Sequence, residues 1–222
     1  MFHGLEPDNY HLNEILDYSI LETDSNFHVK QRAIYRPKNK YIPYTRRFNT
    51  FYSGHSFYYH DPLTSNIWQI KDNGTLKLVY TFNYGNKTLP EEMKLVDKSA
   101  EDWGKSSFCI PGYSIMSEDY LFYTYTINTR VRNVLYSNKT MKQYGGVIRA
   151  DDVTGITLGF QLLTSVGNTL IGYQNADQLC DKSKNAIYVN KNRDNSIWIK
   201  LSQEIKLDDN PVLIFYKLKD DL

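Results

Sequence analysis

The stretch FNTFYSGHSFYYHDPLTSNIWQIKDNGTLKLVYTFNYG, Phe48–Gly85, holds four apolar runs separated by turn residues. Phe, Tyr, Ile, Val and Trp dominate the runs, and these side chains suit a pleated, partly buried surface. Asp61-Pro62 and Ser65-Asn66 mark the second connection and Asn73-Gly74 the third. Asn-Gly between apolar runs is the strongest short hairpin signal, because a type I′ turn needs φ > 0 at both central residues. The stretch therefore predicts four short antiparallel strands forming one small sheet.

Downstream the pattern returns. FCIPGYSI (Phe108–Ile115), DYLFYTYTI (Asp119–Ile127), TRVRNVLYS (Thr129–Ser137) and MKQYGGVIR (Met141–Arg149) read as four more strands, with Asn128-Thr129 and Asn138-Lys139 at turns. Leu121, Tyr123, Tyr125 and Ile127 fall on one face of their strand, and Tyr120, Phe122 and Thr124 on the other. A strand apolar on both faces is sandwiched between neighbouring layers. Between the two units, Ser99 and Asp102 form a capping pattern and Gly104 a stop, which predicts a short helix around Ala100–Trp103. From Gly159 the pattern begins a third time, GFQLLTSVGN and TLIGYQ, joined by Gly167-Asn168. A helical insertion is expected near Ala176–Lys184. Ile197, Leu201 and Ile205 then repeat at helical spacing, and Asp208-Asp209-Asn210-Pro211 stops that helix. Val212–Leu218, VLIFYKL, is apolar on both faces and is expected to be a buried strand.

Upstream the charge changes sign. Residues 1–24 carry Glu6, Asp8, Glu14, Asp17, Glu22 and Asp24 without Lys or Arg, and Leu12, Ile15 and Leu16 share a short helical face. Lys30, Arg32, Arg36, Lys38, Lys40, Arg46 and Arg47 follow without an acid, interleaved with Tyr35, Tyr41 and Tyr44. Cations with stacking rings suit a polyanion. With a net charge of +1 over the whole chain, a solvated outer strand is the stronger reading, and no nucleic-acid partner is expected.

Four-stranded antiparallel units of about forty residues have the size of β-propeller blades. The chain of 222 residues reads as all-β, with two full units, part of one before them and a modified one after. N-I-W-Q-I-x-x-N-G-T-L-x-x-x-Y-x-F-N-Y-G (Asn66–Gly85), followed by Leu89-Pro90-Glu91-Glu92, resembles the recurring blade signature of bacterial six-bladed β-propeller proteins of uncharacterised function. The ending D-D-N-P-V-L-I-F-Y-K-L-K (Asp208–Lys219) resembles that family's C-terminus. The resemblance implies a partial propeller, with residues 1–222 as one domain holding the C-terminal blades. It also implies a location in the cell envelope or periplasm, and leaves closure of the ring to another chain or to further N-terminal blades. The residues themselves show no signal peptide, since MFHGLEPDNYHLNEILDY has acids where a leader carries Lys or Arg. Nor does any stretch reach the length of a membrane span.

The chemistry-bearing residues assign no catalytic, cofactor or metal position. His55 and His60 point to opposite faces of a strand, so with Asp61 they read as strand and turn residues rather than a metal site. His3, His11 and His28 are scattered. Glu91-Glu92, Asp151-Asp152 and Asp208-Asp209 are sequence neighbours, whereas acid–base catalysis needs carboxyls converging across a cleft. Asn73, Asn86 and Asn138 lie in N-x-T triplets but also where turns or loops are needed. Cys109 and Cys180 read as two thiols, with one disulfide as the alternative. Trp68, Trp103, Trp198 and the 19 Tyr could stack on sugars, but blade packing explains them first. The leading functional reading is a non-catalytic binding or scaffold module for a protein or carbohydrate. The alternatives are a glycan-active lyase or hydrolase with its site at the propeller funnel, and a truncated product without independent function.

Overall fold

In a computed structural model of the chain, residues 18–35, 50–53, 56–61, 64–95, 102, 105–146, 162–177 and 204–219 are described. The Phe48–Gly85 stretch folds into β3 (Thr50–Ser53), β4 (Ser56–Asp61), β5 (Asn66–Ile70) and β6 (Leu76–Thr81). They form one sheet in the order β3-β4-β5-β6. In front of it, β1 (Tyr18–Thr23) and β2 (Val29–Tyr35) pair as an antiparallel hairpin, so the basic run supplies an outer strand with Lys30, Gln31 and Arg32 exposed. The second unit gives β7 (Ile110–Met116), β8 (Tyr120–Ile127), β9 (Arg130–Ser137) and β10 (Gln143–Gly146), again a consecutive four-stranded sheet. The last sheet is β11 (Leu162–Val166), β12 (Thr169–Gln174) and β13 (Val212–Lys217).

Turn chemistry differs from the sequence reading in an instructive way. At Asn73-Gly74 only Gly74 has positive φ, at 78°. Gly74 N donates to Lys71 O at 2.8 Å, and Lys71 N donates to Thr75 O at 2.9 Å. This is a type I turn closed by a left-handed glycine bulge, a three-residue loop rather than type I′. Asn73 stays right-handed, and its side-chain oxygen accepts from both N and Oγ1 of Thr75. The two-residue left-handed turn occurs instead at Asn128-Thr129, with φ of 47° and 62°.

Two compact units divide the chain: Met1–Thr50, Ser56–Tyr113 and Tyr125–Arg130 in one, Phe51–His55, Ser114–Thr124 and Val131–Leu222 in the other. In the first, Ile20, Leu21, Tyr59, His60, Ile67 and Tyr113 are buried. In the second, Tyr120–Thr124 forms a fully buried run, joined by Val134, Leu135, Leu162 and Leu170. The alternation read from the sequence thus does bury both faces of β8 over these residues. Each such apolar side chain contributes roughly 1.5–3 kcal/mol by leaving water.

β13 corrects the expectation of a strand buried on both faces. Val212, Ile214 and Tyr216 pair with Gln174, Gly172 and Leu170 on the inner side, while Leu213 and Phe215 are 56% and 63% exposed. Apolar residues on both faces show only that both can be covered. Among the described residues nothing covers the second face.

The expected helices near Ala100–Trp103, Ala176–Lys184 and Ile197–Ile205 fall largely outside the described residues. Among the described residues of these ranges, Asp102, Ala176, Asp177 and Glu204 are helical. The insertion after β6 does contain the short 3-10 turns Gly85–Lys87 and Glu91–Leu95.

Candidate functional site

The hairpin β1–β2 is held at its tip by a single carboxylate. Asp24 accepts hydrogen bonds from the backbone N of Asn26 and of His28, each at 2.9 Å, and contacts His28 Nδ1 at 3.2 Å. The backbone donor of His28, the largest influence, holds the Asp24 carboxyl below its ordinary range. One residue earlier in the tip, Phe27 adopts φ of 65° and is 68% exposed.

Facing this hairpin is the β5–β6 turn. Gly74 is left-handed there, and a Cβ at this position would overlap Oε2 of Glu22. The left-handed backbone favours glycine here, and the missing Cβ leaves room for the Glu22 carboxylate. Glu22 sits opposite Gln31 in the β1–β2 register. Its Oε2 is shielded from water and has no hydrogen-bond partner among the described residues. A cavity of about 180 Å³ opens at this junction. Glu22, Gln31, Arg32, Lys71 and Asp72 give it a polar wall, and Ile20, Ala33, Ile70 and Leu76 an apolar one. His, Ser, Cys and Tyr are all missing from its described lining.

The residues singled out from sequence lie elsewhere. His60 is fully buried on β4, its ring 5.5 Å from that of Phe82 in an edge arrangement, and burial lowers its pKa to about 4. His55 and Asp151-Asp152 are outside the described residues, as are Cys180, Trp103 and Trp198. Cys109 is a buried free thiol whose pKa is raised by desolvation. Trp68 is half-buried on β5. Asp208-Asp209 does form a turn, with Asp209 Oδ2 accepting from Lys206 N at 2.8 Å. Glu91-Glu92 is more than a solvated turn: the pair opens the Glu91–Leu95 segment, and Glu91 pairs with the buried ammonium of Lys94. Among the described residues no group of three or more His, Cys, Asp or Glu could hold a metal, and no helix is long and apolar enough to cross a membrane.

Sequence reasoning missed the cavity because its members come from two hairpins some forty residues apart. Asn73-Gly74 marked one hairpin, and the sign change between residues 24 and 30 marked the other. No spacing rule joins them.

Comparison with known proteins addresses the fold. A crystal structure of a Bacteroides fragilis protein assigned as exported is similar, with a TM-score of 0.68 and 16% identity, over 93% of this chain. The chain spans 59% of the length of that structure, and at this identity the likeness carries the fold alone. No curated protein matches the sequence. A family model described as a 6-bladed beta-propeller, of unknown function, matches residues 2–172. Two four-stranded antiparallel sheets of blade size, flanked by a two-stranded and a three-stranded one, and this match lead to one conclusion: the chain belongs to the 6-bladed beta-propeller family.

Proposed function

We propose that the chain is a non-catalytic propeller module that binds its ligand at the cavity between hairpin β1–β2 and the β5–β6 turn. The observation that carries this reading is the cavity's described wall: hydrogen-bonding side chains on one side and aliphatic ones on the other. Its two hairpins are held by local bonds, at Asp24 in one and Asn73 in the other. A site on hairpins with fixed turns loses little entropy on binding. Export to the cell envelope is part of this proposal, supported by the similar exported protein.

The test is a thermal-shift screen of the purified chain against glycans and peptides, followed by calorimetry and a turnover assay on each hit. The expected result is saturable binding without product. Two carboxylates, Glu22 and Asp72, favour a glycan-active hydrolase as the second reading, since glycoside hydrolysis uses a carboxyl pair. Release of a product by the wild type, lost in Glu22→Gln, would establish that reading and overturn the first.

A further inference from the structure

Resting on the binding reading above, we infer that the ligand of this cavity is a neutral polyhydroxyl ring, a single sugar unit at the end of a glycan. Three features of the cavity converge on that class.

The first is charge. Among the described lining residues, Glu22 and Asp72 on one hand and Arg32 and Lys71 on the other leave no net sign. A strongly anionic or cationic ligand would meet as much repulsion as attraction. A neutral molecule carrying both donors and acceptors engages all four, giving hydrogen bonds to the carboxylates and accepting them from the guanidinium and the ammonium. Hydrogen bonds to charged groups are the strong ones, at about 1.5–3 kcal/mol each.

Size and shape supply the second. At about 180 Å³ the cavity lies below the range of drug-sized pockets. It suits one ring, and the aliphatic side formed by Ile20, Ile70 and Leu76 suits the C–H face of a pyranose.

Glu22 supplies the third. Glu22 Oε2, shielded from water and lacking a donor among the described residues, is in a costly arrangement. Gly74 accommodates it by presenting no Cβ. The terminal torsion of Glu is broad and roughly two-fold, and Glu22 lines the cavity, so its carboxylate is free to reorient for a donor placed there. A hydroxyl donor there relieves the unmet demand, and that relief adds to the affinity for donors over acceptors.

The experiment is calorimetry and saturation-transfer NMR of the full chain with neutral hexoses and their short oligomers, beside glucuronate and glucosamine as charged probes. Neutral sugars are expected to bind, with affinity at least tenfold weaker in Glu22→Gln and unchanged in Phe215→Lys on the last sheet. Arg32→Ala provides a second variant, and a thermal melt of each confirms folding. Sugar binding that survives both cavity variants overturns the assignment of this site. Preference for a charged probe, or for peptides with no sugar bound, overturns the ligand class while leaving the binding module standing. If no ligand of any class binds, both readings fall together.

Discussion

His60 shows what burial does to one residue. Its imidazole lies in full burial against Phe82, so the charged form is disfavoured and the pKa falls to about 4. In the unfolded chain the ordinary value is 6.5. The unfolded state therefore binds the proton first, and stability is full above pH 6.5 and declines as the pH falls toward 4. The loss amounts to roughly 3 kcal/mol once both states are protonated. Urea unfolding at stepped pH checks this, and His60→Gln is expected to lack that part of the slope. Thr129 shows strain of another kind. A β-branched residue at φ of 62° is an outlier, and the left-handed region costs L-residues on the order of 1–2 kcal/mol. Thr129→Gly restores the preferred Asn-Gly turn and is expected to stabilise by about 0.5–1 kcal/mol, read from the urea midpoint. That a turn exists at Asn128-Thr129 was legible from sequence. That its backbone is left-handed at both residues was not, because neither residue requires it.

Elements are joined in this molecule by side chains at strand ends. Asn168, in the β11–β12 turn, accepts from Asp119 N at 3.0 Å and donates through Nδ2 to the Asp119 carboxylate. Glu118 N donates to Gly167 O at 3.0 Å, so the β7–β8 and β11–β12 turns are bonded to each other. Lys139 and Asn168 together hold the Asp119 carboxyl below its ordinary range. The stabilisation this gives is present above that range and lost as pH falls through the lowered value. Asn168→Ala removes the shared partner and is expected to cost about 1–3 kcal/mol in thermal unfolding, with faster hydrogen exchange at the Asp119 amide. Strand faces behave oppositely within one sheet. Leu170 is 1% exposed and Phe215 63%. Leu170→Ala is expected to cost roughly 2–5 kcal/mol, and Phe215→Lys to stay within about 0.5 kcal/mol, both by denaturant titration. The apolar alternation of VLIFYKL pointed to a strand, correctly, but not to which of its faces would remain in water.

At the scale of the whole molecule, sheets of blade size follow one another along the chain, and each of the two four-stranded ones contributes strands in simple consecutive order. Tyr120–Thr124 of β8 is buried at every position, with Phe122 2% exposed. Phe122→Ala is expected to cost about 3–5 kcal/mol, the largest loss of the substitutions considered, measured by urea unfolding. By itself the sequence determined the class of fold, the place of both complete sheets and the doubly buried stretch of β8. Those properties follow from alternation and turn residues, which are local. Tertiary structure alone decided the details that need a partner distant in sequence. The Glu22 carboxylate lies against Gly74, about fifty positions later, and the face of β13 depends on what lies over it. Side-chain alternation says which residues share a face; only the arrangement of the elements says what that face meets. The Phe48–Gly85 stretch accordingly fixed a sheet from its own residues, while the cavity at its Asn73-Gly74 turn exists only because another hairpin comes to it.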